Sequence, residues 1–123
     1  MEKNKYTILA IDDEKLIRDL ISDLLQHYGY NAVTASSGTE AIALIKNSHF
    51  DVILCDISMP GQTGFEVFDE VKKIAPEAKF IFVSAFDNQE NINKGMSMGA
   101  KAFIGKPFSP DELLDVLENI LKN

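Results

Sequence analysis

The sequence predicts an α/β domain whose parallel sheet is covered by helices on both faces. Three observations predict it. Short apolar runs alternate five times with longer amphipathic ones. The apolar runs are nearly continuous, as in strands buried on both faces, rather than alternating apolar with polar. Glycine, proline and capping residues mark the boundaries, with no linker, low-complexity stretch or internal repeat. At 123 residues the chain is long enough for one core and reads as a single domain over 1–123.

Each element follows in order. "YTILAI" from Tyr6 is the first strand. "EKLIRDLISDLLQHYG" carries Leu16, Ile17, Leu20, Ile21, Leu24 and Leu25 at helical spacing and stops at Gly29. "NAVTA" is a short second strand. "SGTEAIALIKNS" opens on Ser37 with Glu40 three residues later, a capping-box pattern. "DVILC" is the third strand. "GFEVFDEVKKI" offers Phe65, Val67, Phe68, Val71 and Ile74 to the core and closes before Pro76. "KFIFVSA" is the fourth strand. "DNQENINKGMSMG" is a helix with Asp87 expected as its cap. "AFIG" is the fifth strand. "SPDELLDVLENILKN" has Ser109 as cap, Pro110 in the first turn and Glu112 three residues past the cap.

Composition excludes several classes. A hydrophobic fraction of 46% and a charged fraction of 25% are globular values. No apolar run approaches the ~20 residues that span a membrane. The start, "MEKNKYTILAIDD", lacks the apolar length and cleavage site of a signal peptide. One cysteine, Cys55, excludes an internal disulfide and suits a reducing, cytoplasmic compartment. A net charge of −7 argues against direct binding of nucleic acid. No GxGxxG occurs, and neither His27 nor His49 has a second ligand at metal spacing.

In open parallel sheets, ligands sit outside the carboxyl ends of the strands. There the first strand ends in Asp12 and Asp13, the third in Asp56, the fourth in Ser84 and the fifth in Gly105-Lys106-Pro107. If the first and third strands are neighbours, three carboxylates converge. Two unit charges ~4 Å apart repel by about 4 kcal/mol at an effective dielectric of 20, so such a cluster calls for a cation. Oxygen ligands suit a hard ion such as Mg2+, with Mn2+ as an alternative. Lys106 adds a tethered positive charge and Ser84 a neutral donor. A hard cation, a lysine and a hydroxyl around one acid make a phosphoryl-transfer site. Asp56 is its nucleophile and an aspartyl phosphate its product. Alone, each residue has a plainer use: Asp13 and Ser84 as cap or turn formers, and Lys106 as a solvated loop lysine.

"ILAIDDE", "DVILCDISMPGQTG", "FIFVSA" and "AFIGKPF", in that order and spacing, resemble the receiver domain of bacterial two-component response regulators over the whole chain. The resemblance implies a doubly wound, flavodoxin-like and CheY-like fold with strand order 2-1-3-4-5. It implies Asp56 as phosphoacceptor. Asp13 would hold the metal directly, Asp12 through water, and Ser58 by its backbone carbonyl. Ser84 and Lys106 would contact the phosphoryl group. Phe103 stands at the family's rotating switch aromatic, and the Lys106–Pro107 bond would be cis. Partners implied are a histidine kinase or histidine phosphotransfer protein upstream and an effector protein or output domain downstream. The domain would catalyse only its own phosphorylation and dephosphorylation, as a monomer or weak dimer.

Some positions depart from the common pattern. Ser84 keeps a hydroxyl where Thr is at least as frequent. Ser58 and the bulky Phe86 fall where the family tunes the lifetime of the phosphoryl group. Phe103 lacks the hydroxyl of a Tyr, so its inward state rests on apolar burial. When Asp56 gains a phosphoryl group, Ser84 would move toward it and Phe103 would turn into the space behind. The surface of the fourth helix, fifth strand and fifth helix would then change. The fourth helix, with Asn88, Asn91, Asn93 and Gly95, is rich in poor helix formers and is expected to be short or frayed. Met96 and Met98 are expected in the core, as is Cys55.

Rival readings fit less well. A haloacid-dehalogenase-type phosphatase needs a second acid where the chain has Ser58. A flavodoxin-type carrier needs a phosphate loop where Asp12 and Asp13 would repel one. The alternative that remains is a degenerate receiver acting as a phosphorylation-independent interaction module.

Overall fold

In a computed structural model of the chain, which describes residues 2–122, five strands and five α-helices alternate after a short 3-10 turn at Lys3–Lys5. The strands are β1 (Thr7–Ile11), β2 (Asn31–Ala35), β3 (Val52–Cys55), β4 (Lys79–Ser84) and β5 (Ala102–Gly105). The helices are α1 (Lys15–His27), α2 (Gly38–Asn47), α3 (Gly64–Ile74), α4 (Gln89–Met98) and α5 (Pro110–Lys122). All strand pairs are parallel, in the order β2-β1-β3-β4-β5. No helix of the described residues is long and apolar enough to cross a membrane.

The near-continuous apolar strands are buried on both faces. On one face Ile8, Val52, Leu54, Ile81, Val83 and Ile104 pack against α1 (Ile21, Leu25) and α5 (Leu113, Leu114, Leu117). On the other, Leu9, Ile11, Ile53, Cys55, Phe80 and Phe82 pack against α2 (Ala41, Ile45) and α3 (Phe65, Val67, Phe68, Val71). Helices α1 and α5 therefore cover one side, and α2 and α3 the other, as the parallel βαβ crossovers require.

Local chemistry sets the helix starts. Ser37 accepts from the Glu40 N–H, while the Glu40 carboxylate reaches back to the Ser36 N–H. Ser109 and Glu112 exchange both bonds of a capping box, at 3.1 and 3.4 Å. Thr63 and Glu66 form a further box at the head of α3, one that "QTGFE" encodes.

The structure corrects four expectations. Asn88, not Asp87, caps α4: its side chain accepts from the Asn91 N–H at 2.9 Å. Helix α4 is a full ten residues, capped at both ends despite its asparagines. Leu16 and Leu20 are 83% and 50% exposed, because the strip of α1 that meets the sheet centres on Ile21 and Leu25. Ile74 and Met96 lie at helix positions turned from the core and are exposed, whereas Met98 packs against it.

The register brings the strand ends to one edge. Ile11 lies beside Cys55, so the next residues, Asp12 and Asp56, emerge side by side. Cys55 is level with Phe82, and Ser84 lies beside Gly105, which immediately precedes Lys106.

Candidate functional site

Asp12, Asp13 and Asp56 offer carboxylate oxygens that all lie within 4.8 Å of one another. Asp12 and Asp56 are buried and Asp13 is exposed. Burying two acids beside a third is costly unless their charge is met. Lys106 meets part of it. Its ammonium donates to Asp12 Oδ2 at 2.6 Å and to Asp56 Oδ2 at 3.3 Å. Burial pushes the Lys106 ammonium down, but the hydrogen bond to Asp12 and the charges of Asp56 and Asp12 outweigh it and raise its pKa above the ordinary lysine value. Lys106 is therefore a fixed cation at neutral pH.

The two buried acids are held differently. Asp12 is bonded at every oxygen: Oδ1 accepts from the Glu14 N–H at 2.9 Å, Oδ2 from Lys106, and the carbonyl from Arg18 Nη1 at 2.8 Å. Asp56 accepts at Oδ1 from the Ile57 N–H at 2.7 Å and only a longer bond from Lys106 at Oδ2. Asp12 is thus an anchored acid, whereas Asp56 is held by fewer bonds and Asp13 is exposed. The backbone beyond Asp56 is fixed by Gly64, whose N–H donates to the Ile57 carbonyl at 2.8 Å. A Cβ on Gly64 would run into the Asp56 carbonyl, so only glycine lets α3 start this close to the end of β3.

Ser84, fully buried at the end of β4, accepts from the Phe86 N–H at 3.1 Å, and its carbonyl accepts from the Lys106 N–H. Phe103 is partly buried in β5, its ring 5.9 Å from that of Phe82. Ser58 is exposed in the loop after β3, and the Lys106–Pro107 peptide is cis. The fold thus gathers Asp12, Asp13, Asp56 and Lys106 directly, and sets Ser84 at the end of the strand between β3 and β5. Phe103 sits one step back from that edge. Cys55 stays out of the chemistry: burial, then Asp56 and Asp12, push its thiol well up and keep it neutral.

Two features of the site were missed in the sequence. Arg18, on the first helix, donates to the Asp12 backbone carbonyl at 2.8 Å, a bond for which the sequence carries no signal. Beside Lys106 opens a cleft of about 270 Å³ lined by Ile17, Leu20, Ala85, Pro107 and Phe108. Leu20, which lines it, is exposed, and helical spacing does not separate a buried stripe from such an exposed edge.

The family model described as the response regulator receiver domain matches residues 8–118. The chemotaxis protein CheY of Thermotoga maritima is 34% identical over 94% of this chain and 97% of its own length. The response regulator SaeR of Staphylococcus aureus is 33% identical over 93% of this chain, which spans 50% of that protein. Among solved structures, the response regulator TrrA of Thermotoga maritima, in complex with Mg2+ and BeF, superposes with a TM-score of 0.84 at 33% identity, covering 94% of this chain and 98% of TrrA.

Proposed function

Because the chain belongs to the response regulator receiver domain family, we propose that it takes a phosphoryl group from a phosphohistidine onto Asp56 in a Mg2+-dependent reaction. The observation that carries the proposal is the bridging of Asp12 and Asp56 by Lys106 beside the exposed Asp13. This is a cluster of three carboxylates, one of them exposed, with one fixed cation. An all-oxygen donor set of this kind fits a hard divalent ion. Asp13, Asp56 and the Ser58 carbonyl would hold it, and Asp12 would reach it through water. When bound, it would neutralise charge on the phosphoryl oxygens.

The chain's own groups do the rest. An Asp56 carboxylate oxygen forms the new P–O bond as the donor's P–N bond breaks, and the donor imidazole keeps the electron pair. The Lys106 ammonium donates to a phosphoryl oxygen without changing protonation state. The Ser84 hydroxyl donates to another. Water later attacks phosphorus and returns Asp56 as carboxylate and inorganic phosphate, so the only substrate turned over is the domain itself. The donor must bring its imidazole to Asp56, and its protein then lies over the apolar cleft at Leu20, Pro107 and Phe108. A histidine kinase or histidine phosphotransfer protein is the donor class, in the cytoplasm. An effector or output domain reading the α4, β5 and α5 surface is the downstream partner.

Incubating the protein with Mg2+ and radiolabelled acetyl phosphate tests the reading. Stoichiometric, acid-labile label that disappears in Asp56→Asn is expected. Persisting label in Asp56→Asn would overturn the assignment. No label in the wild type, with no Mg2+ response, would favour a phosphorylation-independent interaction module.

A further inference from the structure

We propose that Gly95 is the point at which α4 senses the switch, through Phe82 rather than through Phe103 alone, an inference that rests on the phosphoacceptor reading above. Phe82 and Phe103 face each other in register across β4 and β5, their rings 5.9 Å apart and tilted by 37°. Phe82 is fully buried. Other rings crowd it: Phe65 at 5.1 Å, Phe80 at 5.0 Å and Phe68 at 5.8 Å. Against this cluster lies the backbone of α4. A Cβ placed on Gly95 would stand 2.8 and 2.9 Å from two ring carbons of Phe82 and 3.7 Å from one of Phe103.

Mid-helix glycine is unfavourable relative to alanine. Here the helix gains an approach that no other residue allows: Gly95 is a notch in α4, and the Phe82 ring edge fills it. Close-packed interiors pass displacement on rather than absorb it. Phe65, Phe68 and Phe80 hold Phe82 from several sides. A turn of Phe103 is therefore relayed through Phe82 to the α4 backbone. The helix is pinned near its two ends, where Asn91 Nδ2 donates to the Phe86 carbonyl and Lys72 Nζ to the Met98 carbonyl, each at 3.1 Å. Gly95 lies between these ties, so the push bows the stretch that carries the exposed Met96.

Hydrogen exchange over residues 89–98, with Mg2+ alone and with Mg2+ plus beryllofluoride, tests the relay. The wild type is expected to show a beryllofluoride-dependent change in α4. Gly95→Ala and Phe82→Leu should each abolish that change while leaving beryllofluoride affinity within about twofold, as for residues without direct contact with the site. Gly95→Ala with Phe82→Leu should restore it, because the smaller side chain makes room for the added methyl. An α4 change that survives in Gly95→Ala or in Phe82→Leu overturns the relay, as does failure of the double variant to restore it. If Gly95→Ala does not fold, the other two variants decide. A wild type that binds beryllofluoride with no change in α4 overturns the relay alone. A wild type that does not bind beryllofluoride overturns the phosphoacceptor reading, and the relay with it.

Discussion

Lys106 Nζ lies 2.6 Å from Asp12 Oδ2, although β3 and β4 stand between the strands that lead to these two residues. A single side chain thus ties the far edge of the sheet to its centre, and it does so at the acid cluster. Removing it leaves two buried carboxylates without their cation.

Lys106→Ala is therefore expected to destabilise the Mg2+-free protein by ~3 kcal/mol, the cost of leaving a buried charge unpaired. Added Mg2+ should recover more stability in this variant than in the wild type, because the ion takes over part of the lost compensation. Urea unfolding with and without Mg2+ measures both effects. Mg2+ binding should persist while phosphorylation slows.

The pH dependence of that contribution has a definite sign. Folding raises the Lys106 pKa, so the stabilisation is complete below the unfolded value of 10.5 and is lost only as pH rises through the folded value above it. Wild type and Lys106→Ala should differ by a constant amount around neutral pH and converge only in strong alkali.

Asp13 is exposed, and it shares the cluster with Asp12 and Asp56. Asp13→Asn should weaken Mg2+ binding by roughly tenfold or more, since it removes a charged oxygen ligand. The same change should stabilise the Mg2+-free fold slightly by relieving like-charge repulsion. Calorimetric Mg2+ titration and denaturant unfolding read these opposite signs, and a loss in both would contradict the assignment.

Leu20 and Leu25 share the sequence pattern of α1 but not its burial: 50% exposed against 0%. Leu25→Ala should cost ~2–5 kcal/mol as a core cavity. Leu20→Ser should change stability by less than about 0.5 kcal/mol, as for other surface substitutions. Transfer from a protein phosphodonor should nevertheless slow in Leu20→Ser, while labelling by acetyl phosphate stays unchanged. Equal loss with both donors would remove Leu20 from the docking surface.

Tyr30 is buried with a hydroxyl that has no hydrogen-bond partner among the described residues. Burial, then the charge of Glu118, push its pKa up to about 12. Tyr30→Phe should stabilise the fold at neutral pH by ~1 kcal/mol, by removing an unsatisfied buried polar group. Because the folded pKa is raised, the wild type keeps the tyrosine's linked stability below pH 10 and loses it between pH 10 and about 12. The variant's stability should fall less across that window.

Much of this molecule was legible as sequence. Five apolar runs and two well-signed helix starts sufficed for the alternation of strands and helices. Asp12, Asp13, Asp56, Ser84 and Lys106 stood out because each follows directly on such a run, at the end where parallel sheets bind ligands. Less legible were residues whose role depends on which side of a helix meets the sheet. Leu16 and Leu20 read as core because apolar residues on both edges of a helical stripe look alike. Asn88 displaced Asp87 as cap because both are good caps at adjacent positions. Arg18 gave no signal, since its bond is to a backbone carbonyl, and residue identity says nothing about which carbonyl lies within reach.

By itself, the sequence determined the order and kind of the elements, the acids and the lysine at the strand ends, and the glycines at helix boundaries. These are consequences of local periodicity and side-chain chemistry. Only the tertiary structure decided that Lys106 reaches Asp12 and that Asp12 is saturated with bonds while Asp56 is left more open. It alone placed the backbone of Gly95 against Phe82. The physical reason is the same in each case. Register and helix approach are set by packing between residues far apart in the chain, and that packing, not any single stretch, converts an alternation of runs into a site.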